Sequence, residues 1–540
     1  MSALRLLALG SLAFSLGCAS ARINRENARA LAGADARVRD GCYDCLLEAR
    51  AAYAQLADAK TIKNTKKART RDSVLVRLFE TEILLALREK ELALDSRATL
   101  ERARALVPRL PAAIDANRII TMVDAVLPDP HGVPPRKMDV LRAKHRPFLR
   151  KVEDELDWLG KAPLTPAVRD YVTLALDCSY WTRPRPRGGT NPGTPRERPQ
   201  VPPGAPPLIA YRTAICAGQD TAVLTRVRAA VPAFHEAAYY AAQLTAFTSG
   251  ETGDGEAPLL LERAYTRFPR APGITFISGW FNTAIGDCPP AVRYFDETIA
   301  IEPEHERAYL ERTVCLTQMH QDSAAIASAT RLIALDTRST AQAYYWRAVN
   351  RLRRKELPLA RSDIDEAKRR AESDNILTLA GIIEHDQDDL DIAERDLRAA
   401  RASWRGHKNC TAAWYLASVL RKRSQWRESA SNFETAMACY DTAVIEIGAS
   451  IAKIQAHPKM TAALKAKRIE KLVADSVDKR SRYYAAAFNG ANLNARDGDF
   501  ARAEELLAVA ARDAALADPV GMLREELKRA GPQATPTKRR

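Results

Sequence analysis

Residues 286–303 read GDCPPAVRYFDETIAIEP, and their spacing decides the fold. Gly286 suits a turn between two helices, where positive φ costs little. Ala291, five residues on, lets a neighbouring helix approach closely. Phe295, four further, is large enough to fill the groove between units. Pro303 stops the second helix, because it lacks an amide donor and disfavours helix before it. The same small-residue position recurs at Ala222, Ala257, Ala291, Ala325, Ala360, Ala393, Ser429 and Ala503, at spacings of 35, 34, 34, 35, 33, 36 and 74. A period near 34 belongs to a helix–turn–helix unit that buries its apolar face by stacking on its neighbours. Such arrays are far more often binding scaffolds than enzymes.

The other units share the pattern. Leu261, Ala264 and Pro269 follow Ala257. Tyr309, Leu316, Ile326, Leu332 and Asp336 surround Ala325. Tyr344, Ala348, Leu357, Ile364 and Ala367 surround Ala360. Leu377, Gly381, Leu390, Leu397 and Ala400 surround Ala393. Ala417, Leu420, Trp426, Phe433 and Ala436 surround Ser429, and Ala491, Gly498, Phe500, Leu507 and Ala510 surround Ala503. An alanine-rich bundle with accidental periodicity would not also place the turn residues. The pattern resembles the tetratricopeptide repeat. That resemblance implies an all-α, right-handed superhelical solenoid of stacked antiparallel helix pairs. It also implies a concave face, built mainly from first helices, that holds a protein or peptide partner. Asn282, Arg347, Asn350, Arg351, Arg354 and Asn494 are the candidate partner-binding residues, through hydrogen bonds and charge pairing. The 74-residue gap is filled either by one degenerate unit or by longer helices; Tyr440–Ala456 and Thr461–Asp478 read as helices around Pro458.

The N-terminus reads as an address. Arg5 gives a positive start and Leu6–Leu16 a mostly apolar run. Eleven residues at ~1.5 Å each fall short of a ~30 Å hydrocarbon core, which fits a secretory signal over residues 1–17. Phe14-Ser15-Leu16-Gly17-Cys18 resembles the bacterial lipobox, with Ser15 where leucine is usual. The resemblance implies lipidation of Cys18, a membrane anchor, and an outer-membrane destination, since Ala19 is not the retention-type aspartate. An ordinary signal cleaved near Ala19 or Ala21 is the alternative.

Of 540 residues, 82 are basic and 67 acidic, a net charge of +15. In an exported protein this points away from nucleic acid and toward solvated helical surfaces, anionic lipid headgroups, cell-wall polymers or an acidic partner. Leaving Cys18 aside, eight cysteines remain, an even number that fits disulfides in an oxidising compartment. Repeat geometry places Cys410 near the start of a first helix and Cys439 near the end of its second helix, where antiparallel ends meet. Cys288 and Cys315 occupy neighbouring helix ends in the same way. The expected pairs are therefore Cys410–Cys439 and Cys288–Cys315; Cys178–Cys216 follows without that geometry, and the Cys42–Cys45 CxxC reads as a structural pair or as free thiols.

Along the chain, the expected divisions are an N-terminal helical region with degenerate repeats (18–182), a linker rich in proline, glycine and arginine (183–207), and the main array (208–440). A helical insertion or degenerate repeat (441–482), a last unit (483–530) and a disordered tail (531–540) complete it. Nucleotide, hydrolase and metalloprotease motifs are absent, and no cofactor or metal is expected. Gly250, Gly253 and Gly255 lack the preceding strand of a phosphate loop. The acidic run Glu384–Asp389 lacks calcium-loop spacing and sits at a helix start. The reading is an envelope scaffold that binds other proteins, with assistance to the assembly of an envelope complex as its narrower form. The alternative is an enzyme or cell-wall-polymer-binding lipoprotein with its active part in residues 110–180, which a strand-bearing fold or a deep polar pocket there would favour.

Overall fold

A computed structural model describes residues 25–58, 65–128, 131–149, 151–181, 200–216, 221–248, 257–403, 408–458 and 460–530. The leader with Cys18, most of the linker, Gly250, Gly253, Gly255 and the tail lie outside the described residues. Among the described residues every regular element is helical, with no strand. Contacts divide the chain into two units, Met1–Ser278 with Ala300–His305, and Gly279–Ile299 with Glu306–Arg540.

The second unit is built of successive antiparallel helix pairs. First and second helices alternate as Glu306–Gln318 and Asp322–Ala334, Thr340–Arg353 and Leu357–Arg370, Asp374–Asp386 and Leu390–Ala402, then Cys410–Lys422 and Trp426–Ala456, and finally Ala462–Asp497 and Phe500–Ala510. Ala291, Ala325, Ala360, Ala393, Ser429 and Ala503 are fully buried, as their register requires. Packing within a pair matches a small first-helix residue to a large second-helix one. A Cβ on Gly381 would fall 2.4 Å from Leu397 Cγ, and one on Gly279 2.6 Å from Phe295 Cε1.

The turns repeat as faithfully as the helices. Gly286, His320, Lys355, Asp388, Ser424 and Gly498 all have φ between 58° and 88°. Each is followed by an amide that reaches back to the first helix: Asp287 to Asn282, Gln321 to Leu316, Glu356 to Arg351, Asp389 to Glu384, Gln425 to Leu420 and Asp499 to Asn494, at 2.8–2.9 Å. This is the Schellman closure, which satisfies the otherwise orphaned carbonyls of the first helix. Four of the six left-handed positions carry side chains, so the closure persists where glycine does not mark it.

Between Ser429 and Ala503 the spacing doubles because two helices lengthen. Trp426–Ala456 has 31 residues and Ala462–Asp497 has 36. They pack against each other as a long hairpin, and residues 441–482 are its far portion. Thr461 caps the second helix by accepting from the Leu464 amide.

The first unit is organised around one helix. Thr65–Glu91 packs against Tyr43–Asp58, Arg97–Leu106, Ala116–Ala125 and Pro166–Trp181. From Phe79 to Arg88 every residue is buried, so this half is enclosed all round, as a central helix must be. Its 34-residue periodicity fades because neighbours surround this helix instead of stacking along one face. Residues 110–180 form four helices, Ala116–Ala125, Pro135–Leu149, Val152–Lys161 and Pro166–Trp181.

Candidate functional site

Consecutive first helices of the second unit lie side by side, tied by polar side chains. Asn350 donates to Thr317 Oγ1 at 2.8 Å, Asn409 to Thr378 Oγ1 at 2.7 Å, and Ser418 Oγ lies 3.1 Å from His385 Nε2. The row presents half-buried aromatics in adjacent pairs, Tyr345 with Trp346 and Trp414 with Tyr415. Tyr345 and Trp346 meet edge to face at 5.2 Å, as do Trp414 and Phe433; the Tyr415 ring meets His385 at 5.7 Å. On the same two helices Arg353 is bonded to the Thr317 carbonyl and Asp322, Arg421 to Asn489, and Lys422 to the His385 carbonyl and Asp388. Such rings are stiff and amphipathic, and supply contact area at low entropic cost.

The polar residues expected to bind a partner are mostly occupied. Asn350 is fully buried and is spent on Thr317 and the Trp346 carbonyl, so it is a structural tie between units and not a contact residue. Arg347 grips the buried Asp363 with both Nε and Nη2, at 2.9 and 2.7 Å, and Arg351 adds a third bond at 2.6 Å. Their side chains are only 14% and 17% exposed, so they are corrected to packing residues: a buried carboxylate needs its cations. Arg354 sits at the turn, bonded to Glu356 and Ser323. Asn494 donates to the Gly490 carbonyl and Glu434 at 2.9 and 3.2 Å. Asn282 is half-buried, with its carbonyl taken by the turn. A second polar ladder joins adjacent second helices, Lys368 to Asp396 and Arg401 to Asn432. Asp363→Ala is expected to cost ~1.5–3 kcal/mol, the scale of bonds to charged groups. Urea denaturation checks this; an unchanged midpoint would return Arg347 and Arg351 to a binding role.

Sequence reasoning passed over the aromatic pairs because it searched for polar groups. A clue was present: each pair stands fifteen and fourteen residues ahead of its unit's marker, Ala360 or Ser429.

The first unit holds a buried charge cluster. Arg88, with no exposed surface, donates to Glu91 at 3.0 Å and to the Gly41 carbonyl at 2.6 Å, with its guanidinium 3.9 Å from the Tyr211 ring centre. Glu91 also accepts from Arg212 at 2.7 Å and Tyr171 at 2.5 Å. Glu236 accepts from the Tyr43 amide at 2.7 Å, 3.9 Å from Arg88 Nε. Burial pushes the Glu236 carboxyl up to about 7 against the opposing pull of Arg88, and its Oε2 has no hydrogen-bond partner. This cluster positions Gly41 and Tyr43 at the start of the Tyr43–Asp58 helix and offers no access to a ligand.

A cleft of about 780 Å³ borders residues 110–180, lined in part by Lys90, Arg97, Lys137, Lys144 and His145. Its cations are largely paired: Arg97 with Asp95, Lys137 with Glu302, and Lys90 and Lys144 with Asp124. Burial and the neighbouring Lys144 lower the pKa of His145. Among the described residues no group of three metal-ligating side chains converges.

The sulfurs of Cys42 and Cys45, Cys178 and Cys216, and Cys410 and Cys439 come together, with Cα separations of 4.9, 5.2 and 5.4 Å. The expected Cys288–Cys315 bridge is not formed. The two thiols nonetheless lie within hydrogen-bonding reach of each other, and each has a further polar neighbour: Cys288 donates to Gln318 Oε1 at 3.2 Å, and Cys315 Sγ lies 3.3 Å from Thr283 Oγ1.

The family model described as Iml2/Tetratricopeptide repeat protein 39 matches residues 217–381. No curated protein matches the chain by sequence. Among solved structures, the chain is similar to YrrB, a TPR protein with an unusual peptide-binding site, at 15% identity over 43% of this chain and 97% of that one, with a TM-score of 0.31. A tetratricopeptide repeat protein from Parabacteroides merdae aligns at 10% identity over 48% and 93%, with a TM-score of 0.34. The APC/C hetero-tetramer Cut9-Hcn1 aligns at 13% identity over 91% and 94%, with a TM-score of 0.34. In repeat length, helix pairing and turn closure, and in the family match to residues 217–381, this chain resembles the tetratricopeptide-repeat proteins.

Proposed function

We propose that this protein is an exported, lipid-anchored, non-catalytic scaffold of the bacterial cell envelope that holds protein partners on the first-helix face of its second unit. The observation that carries the reading is the row of first helices whose members Thr340–Arg353 and Cys410–Lys422 bear the half-buried rings Tyr345, Trp346, Trp414 and Tyr415. Stiff, amphipathic aromatic rings suit a partner segment with apolar anchors. The lipobox-like Phe14–Cys18 run supports the anchor, and three cysteine pairs at bonding distance fit an oxidising compartment. Helices throughout 110–180, and the pairing of most cations in the nearby cleft, favour the scaffold over an active part there.

Two measurements test this. Cys18→Ser should abolish fatty-acid labelling and release the protein from membranes; a variant that stays membrane-bound, from a parent that takes up no fatty acid, ends the anchor. For the face, Trp346→Ala with Tyr415→Ala should lose the proteins that co-purify with the parent from membranes. An unchanged set of retained proteins, with the variant's melting curve intact, places binding elsewhere.

A further inference from the structure

The long hairpin returns to the first turn of its own unit. Lys467 and Lys471 stand four residues apart on one face of the Ala462–Asp497 helix. Lys467 pairs with Asp287, a contact across 180 residues of sequence. The Lys471 stem lies against Gly286, where an added Cβ would fall 2.6 Å from Lys471 Cδ. Gly286 and Asp287 form the first Schellman turn of this unit. The far end of the same 36-residue helix belongs to the last repeat, where Leu493 is buried with Ala417 and Phe433. One helix therefore joins the last repeat to the first turn of this unit, and the helix pairs between them are bridged end to end.

The two ends of this connection are held very differently. The last-repeat end is packed into apolar core through Ala487, Ala491, Leu506 and Leu507. The foot on the first turn shows an ion pair whose partners are 43% and 21% exposed, and a lysine stem. Exposed ion pairs contribute little, and salt screens them. Val473 and Val477 follow Lys471 by two and six residues, about 200° and about 240° round the helix, and so face away from the foot. They are 46% and 64% exposed, so that side is turned largely to solvent.

We propose that the hairpin is a salt-releasable strap, latched by Lys467 on Asp287, that closes the repeat array and opens it when the latch is broken. Its purpose as a gate on the first-helix face rests on the functional reading above; the latch itself is tested without any partner. Hydrogen–deuterium exchange of the full chain reads it directly. Asp287→Lys should speed exchange in residues 460–475 about fivefold, with protection across 340–400 unchanged. Raising salt from about 0.05 to about 0.5 M should do the same to the parent. Asp287→Lys with Lys467→Asp should restore protection at low salt. Lys467→Glu provides a second break should Asp287→Lys disturb the turn. Parent-like exchange in both single variants, or no recovery in the reversed pair, overturns the strap. That failure would leave the face reading untouched, since partner retention by Trp346 and Tyr415 is measured separately.

Discussion

Arg88→Met is expected to destabilise the first unit by ~3–5 kcal/mol, because it breaks a buried charge pair and leaves an uncompensated carboxylate. The side chain has no exposed surface, and it answers Glu91, Glu236 and the Gly41 carbonyl at once. Glu91 keeps Arg212, whereas Arg88 is the cation paired with Glu236. The defect should therefore depend on pH, with a definite sign. The Glu236 carboxyl is raised in the folded state to about 7, above its ordinary value. A raised carboxyl contributes stability that is present below the unfolded pKa and is lost as pH rises through the folded one. Without Arg88 the folded value rises further, so the variant should be least impaired near pH 5 and most impaired near pH 8. Each pH unit by which the carboxyl rises is worth about 1.4 kcal/mol. Glu236→Gln removes this titration and should flatten the pH dependence of stability. Chemical denaturation at several pH values checks both; a defect in Arg88→Met that does not deepen with pH would show that Glu236 is not the group left exposed to the loss.

Phe295→Ala should cost ~3–5 kcal/mol, the scale for a fully buried ring. Its ring fills the space over Gly279, where even a methyl would overlap it. Gly279→Ala alone should destabilise by ~1–3 kcal/mol through overpacking, offset in part by the roughly 1 kcal/mol that alanine gains over glycine in a helix. In the Phe295→Ala background the sign should reverse. The methyl then occupies part of the vacated space and the helix gains propensity, so Gly279→Ala should stabilise. A double-mutant cycle by thermal or urea unfolding measures this coupling. Additive single effects would mean that the ring and the glycine do not share one packing site.

Much of the fold was legible because it is periodic. Ala291, Ala325, Ala360 and their counterparts are selected by helix-to-helix distance, a local constraint that each unit repeats, so register alone revealed it. The Gly381–Leu397 match is visible for the same reason. The lengthened helices after Ser429 were one of two readings of a doubled interval, since Tyr440–Ala456 and Thr461–Asp478 are helical in pattern whichever way they continue. What the chain pattern could not determine was which polar side chains remain free. Arg347, Asn350 and Arg351 look like a binding surface in sequence, yet Asp363 and Thr317, one to two helices away, consume them. The left-handed turns at His320, Lys355, Asp388 and Ser424 carry no glycine, because the closing hydrogen bond and the packed pair around it hold a conformation that local propensity disfavours. The Arg88 cluster, the wrapped Thr65–Glu91 helix and the reach of Lys467 to Asp287 depend on segments far apart in sequence. Sequence by itself determined the repeating unit, because each unit is specified by contacts within about 34 residues. Only the tertiary structure decided how charges are paired and where the array closes, because Coulomb pairing and burial are properties of distance in space and leave no period in the chain.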